Sequence, residues 1–194
     1  TGDDRWRALF AENIEQLWQT WLAVPDQGFC MWTQDLYGRI LQLLGAGHGF
    51  VGNVYPLLRG AAVLDPARRE DLYARCTQTL QMTGIFNNGE VNWPPGIGTP
   101  RPGRTSILMQ WCHGAPGVIT ALAADYPLNH SADMDDMLLA GGHAVWTAGP
   151  LSKGHGLCHG TAGNGFAFLK LFKRPGNSLW LARARACALH AIAQ

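Results

Sequence analysis

The pattern H-G-x-x-G occurs three times, as His48-Gly49-Phe50-Val51-Gly52, His113-Gly114-Ala115-Pro116-Gly117 and His159-Gly160-Thr161-Ala162-Gly163. With 24 glycines and seven histidines in 194 residues, about 0.1 such matches are expected by chance, so the pattern marks a structural repeat. The copies stand 65 and then 46 residues apart. Each leads into an apolar, nearly uncharged run (Val54 to Leu64, Val118 to Tyr126, Phe166 to Phe172), of a length that suits a buried helix. Each run is followed by a more polar stretch with amphipathic spacing: Asp65 to Met82, Ala132 to Trp146 and Asn177 to Ala193. The repeating unit is therefore an inner helix and an outer helix. No single pair buries its own apolar face, so the units must stack, as an all-α solenoid or a closed α/α toroid.

Two further helices are expected before the first copy, over Arg5 to Leu22 and Gln34 to Leu44, separated by Pro25 and Gly28. The segment Asn87 to Gly103 is too rich in Pro and Gly to be helical and reads as a long rim loop, with an extended piece at Glu90 to Trp93.

Composition narrows the function. Charged residues are 15% of the chain, hydrophobic ones 47%, and the net charge is +1 with no run of like charges. Nucleic acid and acidic membrane surfaces are poor partners for such a surface. The longest uncharged stretch, Thr105 to Ala124, carries Gln110, His113 and Pro116, which argues against a membrane span. Thr1 to Arg5 is charged and lacks the apolar segment of a secretory leader. Five cysteines, an odd number, fit thiols or metal ligands in a reducing, cytoplasmic setting better than a disulfide framework.

Cys112 precedes the histidine of the second copy and Cys158 that of the third. Repeats carry equivalent positions to one rim, so two Cys-His pairs meeting there make a zinc site of thiolate and imidazole. Four ligands (Cys112, His113, Cys158, His159) would make a closed structural site; three would leave a corner open for catalysis. Spacing alone leaves both open.

Trp111-Cys112-His113-Gly114-Ala115-Pro116-Gly117, Gly156-Leu157-Cys158-His159-Gly160-Thr161-Ala162-Gly163-Asn164 and Gly47-His48-Gly49-Phe50-Val51-Gly52 together resemble the motifs of the lanthionine synthetase C-like proteins. The resemblance covers most of the chain from about Gln34, and about the second half of a family member. It implies a single partial domain over 1–194, with about three of the seven repeat units of an α/α toroid, which should expose apolar inner-helix edges when isolated. It implies zinc on Cys112, Cys158 and His159 with the fourth site left to a substrate thiol, and His48 as the general acid/base. His113 stands where bacterial cyclases have Tyr and eukaryotic-type members have His, and Lys153 matches a lysine of the eukaryotic type. Leu108 stands where the lantibiotic cyclases have Arg.

The implied reaction is zinc-dependent addition of a thiol, glutathione or a peptide cysteine, to dehydroalanine or dehydrobutyrine, forming a thioether. Leu108, His113 and Lys153 lean toward glutathione. His113 is a second candidate proton donor, and Lys153 a charge for a substrate carboxylate or enolate. The alternative is a non-catalytic zinc- and glutathione-binding scaffold. A prenyltransferase β subunit shares the barrel and the zinc thiolate, but its metal set needs an Asp, and none accompanies these motifs.

Overall fold

The computed structural model describes residues 3–36, 38–98, 107–174 and 176–193. Its helices among the described residues are α1 (Asp4–Thr20), α2 (Phe50–Arg59), α3 (Pro66–Thr83), α4 (Ala115–Leu122), α5 (Ala132–Ala148), α6 (Thr161–Lys173) and α7 (Ser178–Ile192). The predominantly helical fold expected from the repeats is what forms. The outer helices start where side chains accept orphan amides: Asp65 from Arg68, with Pro66 opening α3, Ser131 from Met134, and Asn177 from Leu179. No helix among the described residues is long and apolar enough to cross a membrane.

The three inner helices lie side by side, α2 against α4 and α4 against α6, with α3, α5 and α7 packed behind their partners. The central helix shows this in its burial: seven of the eight residues of α4 are buried. Leu57, Leu72, Leu80, Ile119, Leu122 and Phe168 form the core between the two layers. At the far end of the arc no further pair follows among the described residues. There Phe166 and Leu169 of α6 are partly bare, and Leu189 and Ile192 of α7 are 68% and 80% exposed, as expected for a stack whose terminal unit has an uncovered side. At the other end α1 lies against α3, through the Glu15–Arg68 ion pair and Trp18 under the guanidiniums of Arg68 and Arg75.

The helix expected over Gln34 to Leu44 does not form. The segment is an antiparallel hairpin, β3 (Gln34–Leu36) with β4 (Arg39–Leu41), following a smaller pair, β1 (Leu22–Ala23) with β2 (Cys30–Met31). Its turn uses Gly38 at φ 69°. The residues after it bond to distant backbone: Leu44 N–H donates to Pro95 O, and Gln42 O accepts from Ile97 N–H. Local hairpin pairing, continued by non-local bonds to the Pro-rich loop, thus takes the place of a helix. The inner helix α2 also starts four residues before the apolar run. Pro56 lies within it, and a 3-10 turn (Ala61–Val63) continues the chain. The expected extended piece is β6 (Glu90–Asn92), paired with β5 (Ile85–Asn87) across an Asn88-Gly89 turn at φ 50° and 77°.

Candidate metal centre

The H-G-x-x-G repeat has a steric cause. At Gly114 an added Cβ would lie 2.0 Å from the carbonyl oxygen of Leu108, and at Gly163 it would lie 2.0 Å from that of Leu157. Both carbonyls lie six residues upstream, and the other copies repeat this spacing, Gly49 on Leu43 and Gly160 on Gly154 for the first glycine, Gly52 on Ala46 and Gly117 on Trp111 for the second. Each motif is thus a return turn whose chain folds back against the start of its inner helix. The upstream carbonyls take the helix's orphan amides: Phe50 N–H donates to Leu43 O at 2.8 Å and Thr161 N–H to Gly154 O at 3.1 Å.

In the second copy a side chain takes over this work. Buried Asn92, at the end of β6, accepts from Ala115 N–H at 2.7 Å and from Trp93 N–H at 2.9 Å, and donates to Leu108 O at 3.2 Å. Asn92→Leu leaves two buried amides and a carbonyl without partners, and a loss of about 2–4 kcal/mol is expected in denaturant unfolding. A loss below ~0.5 kcal/mol would refute this role.

Three such turns converge on Cys112. It sits in a two-residue turn closed by Gln110 N–H to His113 O and His113 N–H to Gln110 O, both 3.1 Å. Its own N–H donates to Cys158 O at 3.4 Å, and its carbonyl accepts from Gly47 N–H at 3.4 Å. The first loop can come this close because a Cβ at Gly45 would sit 1.9 Å from Cys112 O, and one at Gly47 would sit 2.9 Å from Cys112 Cβ.

The ligating atoms of Cys112, Cys158 and His159 lie within 4.8 Å of one another. Cys112 Sγ is 3.4 Å and Cys158 Sγ 3.9 Å from His159 Nε2. A tetrahedral zinc with Zn–S ≈ 2.3 Å and Zn–N ≈ 2.05 Å needs S···N separations of roughly 3.6 Å, so two sulfurs and one imidazole fit the ion. Cys112 is 4% exposed. Burial pushes its thiol above the ordinary value, the nearby Cys158 sulfur adds to this, and the Gln110 amide opposes both. A bound cation relieves that cost.

The remaining candidates surround this trio. His48 is exposed, in the turn before α2. His113 stays out of the cluster: its Nδ1 is buried with no hydrogen-bond partner and faces Gly45, where a Cβ would be 2.7 Å away. Burial lowers its imidazole pKa, and the nearby charges of His48, His159 and Lys153 add to this. Lys153 Nζ donates to Gln110 Oε1 at 2.8 Å, and Gln110 Nε2 donates to Cys112 Sγ at 3.0 Å. Asn92, Gln110 and Gly45 belong to this arrangement, yet sequence reasoning passes them over. Only the position of Gln110, two residues before Cys112, hints at a role.

Residues 11–193 match the family profile of lanthionine synthetase C-like proteins. The chain belongs to that family. Among its lanthionine synthetase C-like relatives, "Glutathione S-transferase LANCL1" of Danio rerio is 32% identical over 152 residues, 77% of this chain and 34% of that protein. "LanC-like protein GCL1" of Arabidopsis thaliana is 35% identical over 146 residues, 74% of this chain and 31% of that protein. The chain therefore matches about a third of the length of these relatives, less than the half expected from its motifs.

Proposed function

We propose that Cys112, Cys158 and His159 hold a zinc ion and that the site adds a thiol to dehydroalanine or dehydrobutyrine residues, forming a thioether. The observation that carries this reading is the approach of three soft and borderline ligand atoms from two separate repeats to within 4.8 Å. Three protein ligands leave a tetrahedral corner open. A free thiol of pKa ~8.5 is only about 3% thiolate at pH 7, and a zinc ion held by these three residues would supply the deprotonated sulfur.

The chain's own residues do the rest. His159 is exposed and Cys158 half-buried, so a thiol and a peptide acceptor can reach them from one side, while Cys112 closes the other. As the new carbon–sulfur bond forms at the β-carbon, the π electrons of the double bond move to the α-carbon and its carbonyl as an enolate. His48, exposed at the rim, gives a proton to that α-carbon and regains one from solvent. His113 is the second candidate for this transfer, and Lys153 supplies positive charge toward the enolate or a substrate carboxylate. The name of the zebrafish relative, with Leu108, His113 and Lys153, favours glutathione over a peptide cysteine.

The test is incubation of zinc-loaded protein with glutathione and a dehydroalanine peptide, read by mass spectrometry. A glutathione adduct is expected, with His48→Ala lowering its rate about 10²-fold or more. Full zinc occupancy and glutathione binding without adduct would replace this reading with that of a scaffold.

A further inference from the structure

We propose that Gln110 is a positioning residue for the ligand Cys112, and that Lys153 acts on the site through it. This rests on the metal-binding reading above and assigns a role to residues between the two ligand loops. Gln110 is 4% exposed. Its amide links Lys153 to the sulfur, with Lys153 Nζ donating to Oε1 at 2.8 Å and Nε2 donating to Cys112 Sγ at 3.0 Å.

The chemistry of the partners fixes the amide's orientation. An ammonium only donates, so it must face the oxygen, and this turns the NH2 group to the sulfur. The backbone of Gln110 is held as well, by its paired bonds with His113 across the turn that carries Cys112. Lys153 lies in the loop that brings Cys158 and His159. The relay therefore ties the loop of one ligand to the loop of the other two.

Two consequences follow. An N–H···S bond draws charge from a thiolate, so Cys112 would donate less to a bound metal and would leave it a stronger Lewis acid toward an incoming thiol. The lysine's cation strengthens that bond by polarising the amide between them. Lys153 then influences the site before any substrate arrives, a role separate from contact with a carboxylate or enolate.

Cobalt(II)-loaded protein without glutathione tests this through its thiolate-to-metal charge-transfer bands, together with zinc affinity from chelator competition. Gln110→Leu removes both bonds, and Gln110→Glu keeps an acceptor for Lys153 while losing the donor to sulfur. Both are expected to shift the bands to longer wavelength and, because the bond also favours the thiolate over the thiol and holds it in place, to weaken zinc binding at neutral pH about 10–100-fold. Lys153→Met, a change at an exposed position, leaves the amide in place but unheld and should give a smaller shift in the same direction. Wild-type bands and affinity in Gln110→Glu and Lys153→Met would overturn the proposal, even if Gln110→Leu failed to fold. A lysine that served substrate alone would leave the glutathione-free spectrum unchanged. Absence of thiolate bands in the wild-type protein would overturn the metal-binding reading itself and this inference with it.

Discussion

On the proposed zinc site, Cys112→Ala is expected to lower zinc affinity in chelator competition by roughly 10³-fold or more, given the large share of binding energy each ligand carries in thiolate sites. The reason lies in where the ligands come from. Cys158 and His159 are neighbours on one turn, whereas Cys112 arrives from the preceding repeat. Its loss leaves a two-point site on a partly exposed loop, and thiol addition should fall to the uncatalysed level. Cys76→Ala is the matched control. Cys76 is fully buried on α3, its thiol pushed well up by burial alone, and it lies outside the cluster. It should lose stability by about 1 kcal/mol and keep stoichiometric zinc. Zinc retained at wild-type affinity in Cys112→Ala would refute the three-ligand set.

The repeat was legible in the sequence because its cause is local and steric. A carbonyl six residues upstream of each glycine leaves no room for a Cβ, and nothing distant is needed to impose that. The outer helices were legible for a similar reason, since Asp65, Ser131 and Asn177 cap them from adjacent positions. Gln34 to Leu44 was not, because its apolar spacing suits a helix, whereas the chain pairs as a hairpin over Gln34–Leu41 and then bonds through Gln42 and Leu44 to Ile97 and Pro95. The ligand count was ambiguous for a reason of geometry. In the narrow turn Gln110–His113, Cys112 is a central residue while His113 closes the turn against Gln110 and turns its Nδ1 to Gly45, so Cys112 enters the cluster and His113 does not. The looser turn at Leu157–His159 brings in both of its members. Asn92 left no sequence signal and Gln110 only its place two residues before Cys112, because each works through contacts between segments.

Gly114→Ala is expected to be the most damaging small substitution in the chain, since two separate costs fall on one methyl group. Gly114 holds φ 105° and ψ −174°, a region open almost only to glycine, where another residue pays roughly 1–3 kcal/mol of strain. The new Cβ would also meet Leu108 O at 2.0 Å and Asn92 Oδ1 at 2.9 Å, which forces the return turn open and disturbs the Asn92 bonds. A total of about 3 kcal/mol or more is a large part of the ~5–15 kcal/mol that holds an ordinary domain together. At this chain length it corresponds to a fall in Tm of roughly 6–12 °C. Two other alanines separate the causes. Gly89→Ala meets only the positive φ, at 77° with nothing within 4 Å, whereas Gly163→Ala meets only the clash, with Leu157 O at 2.0 Å. Gly89→Ala should cost about 1 kcal/mol and leave zinc affinity alone. Gly163→Ala should cost more and weaken zinc, because the turn it props open carries Cys158 and His159. If Gly114→Ala cost no more than Gly89→Ala, close packing of the turns could not be what the H-G-x-x-G pattern encodes.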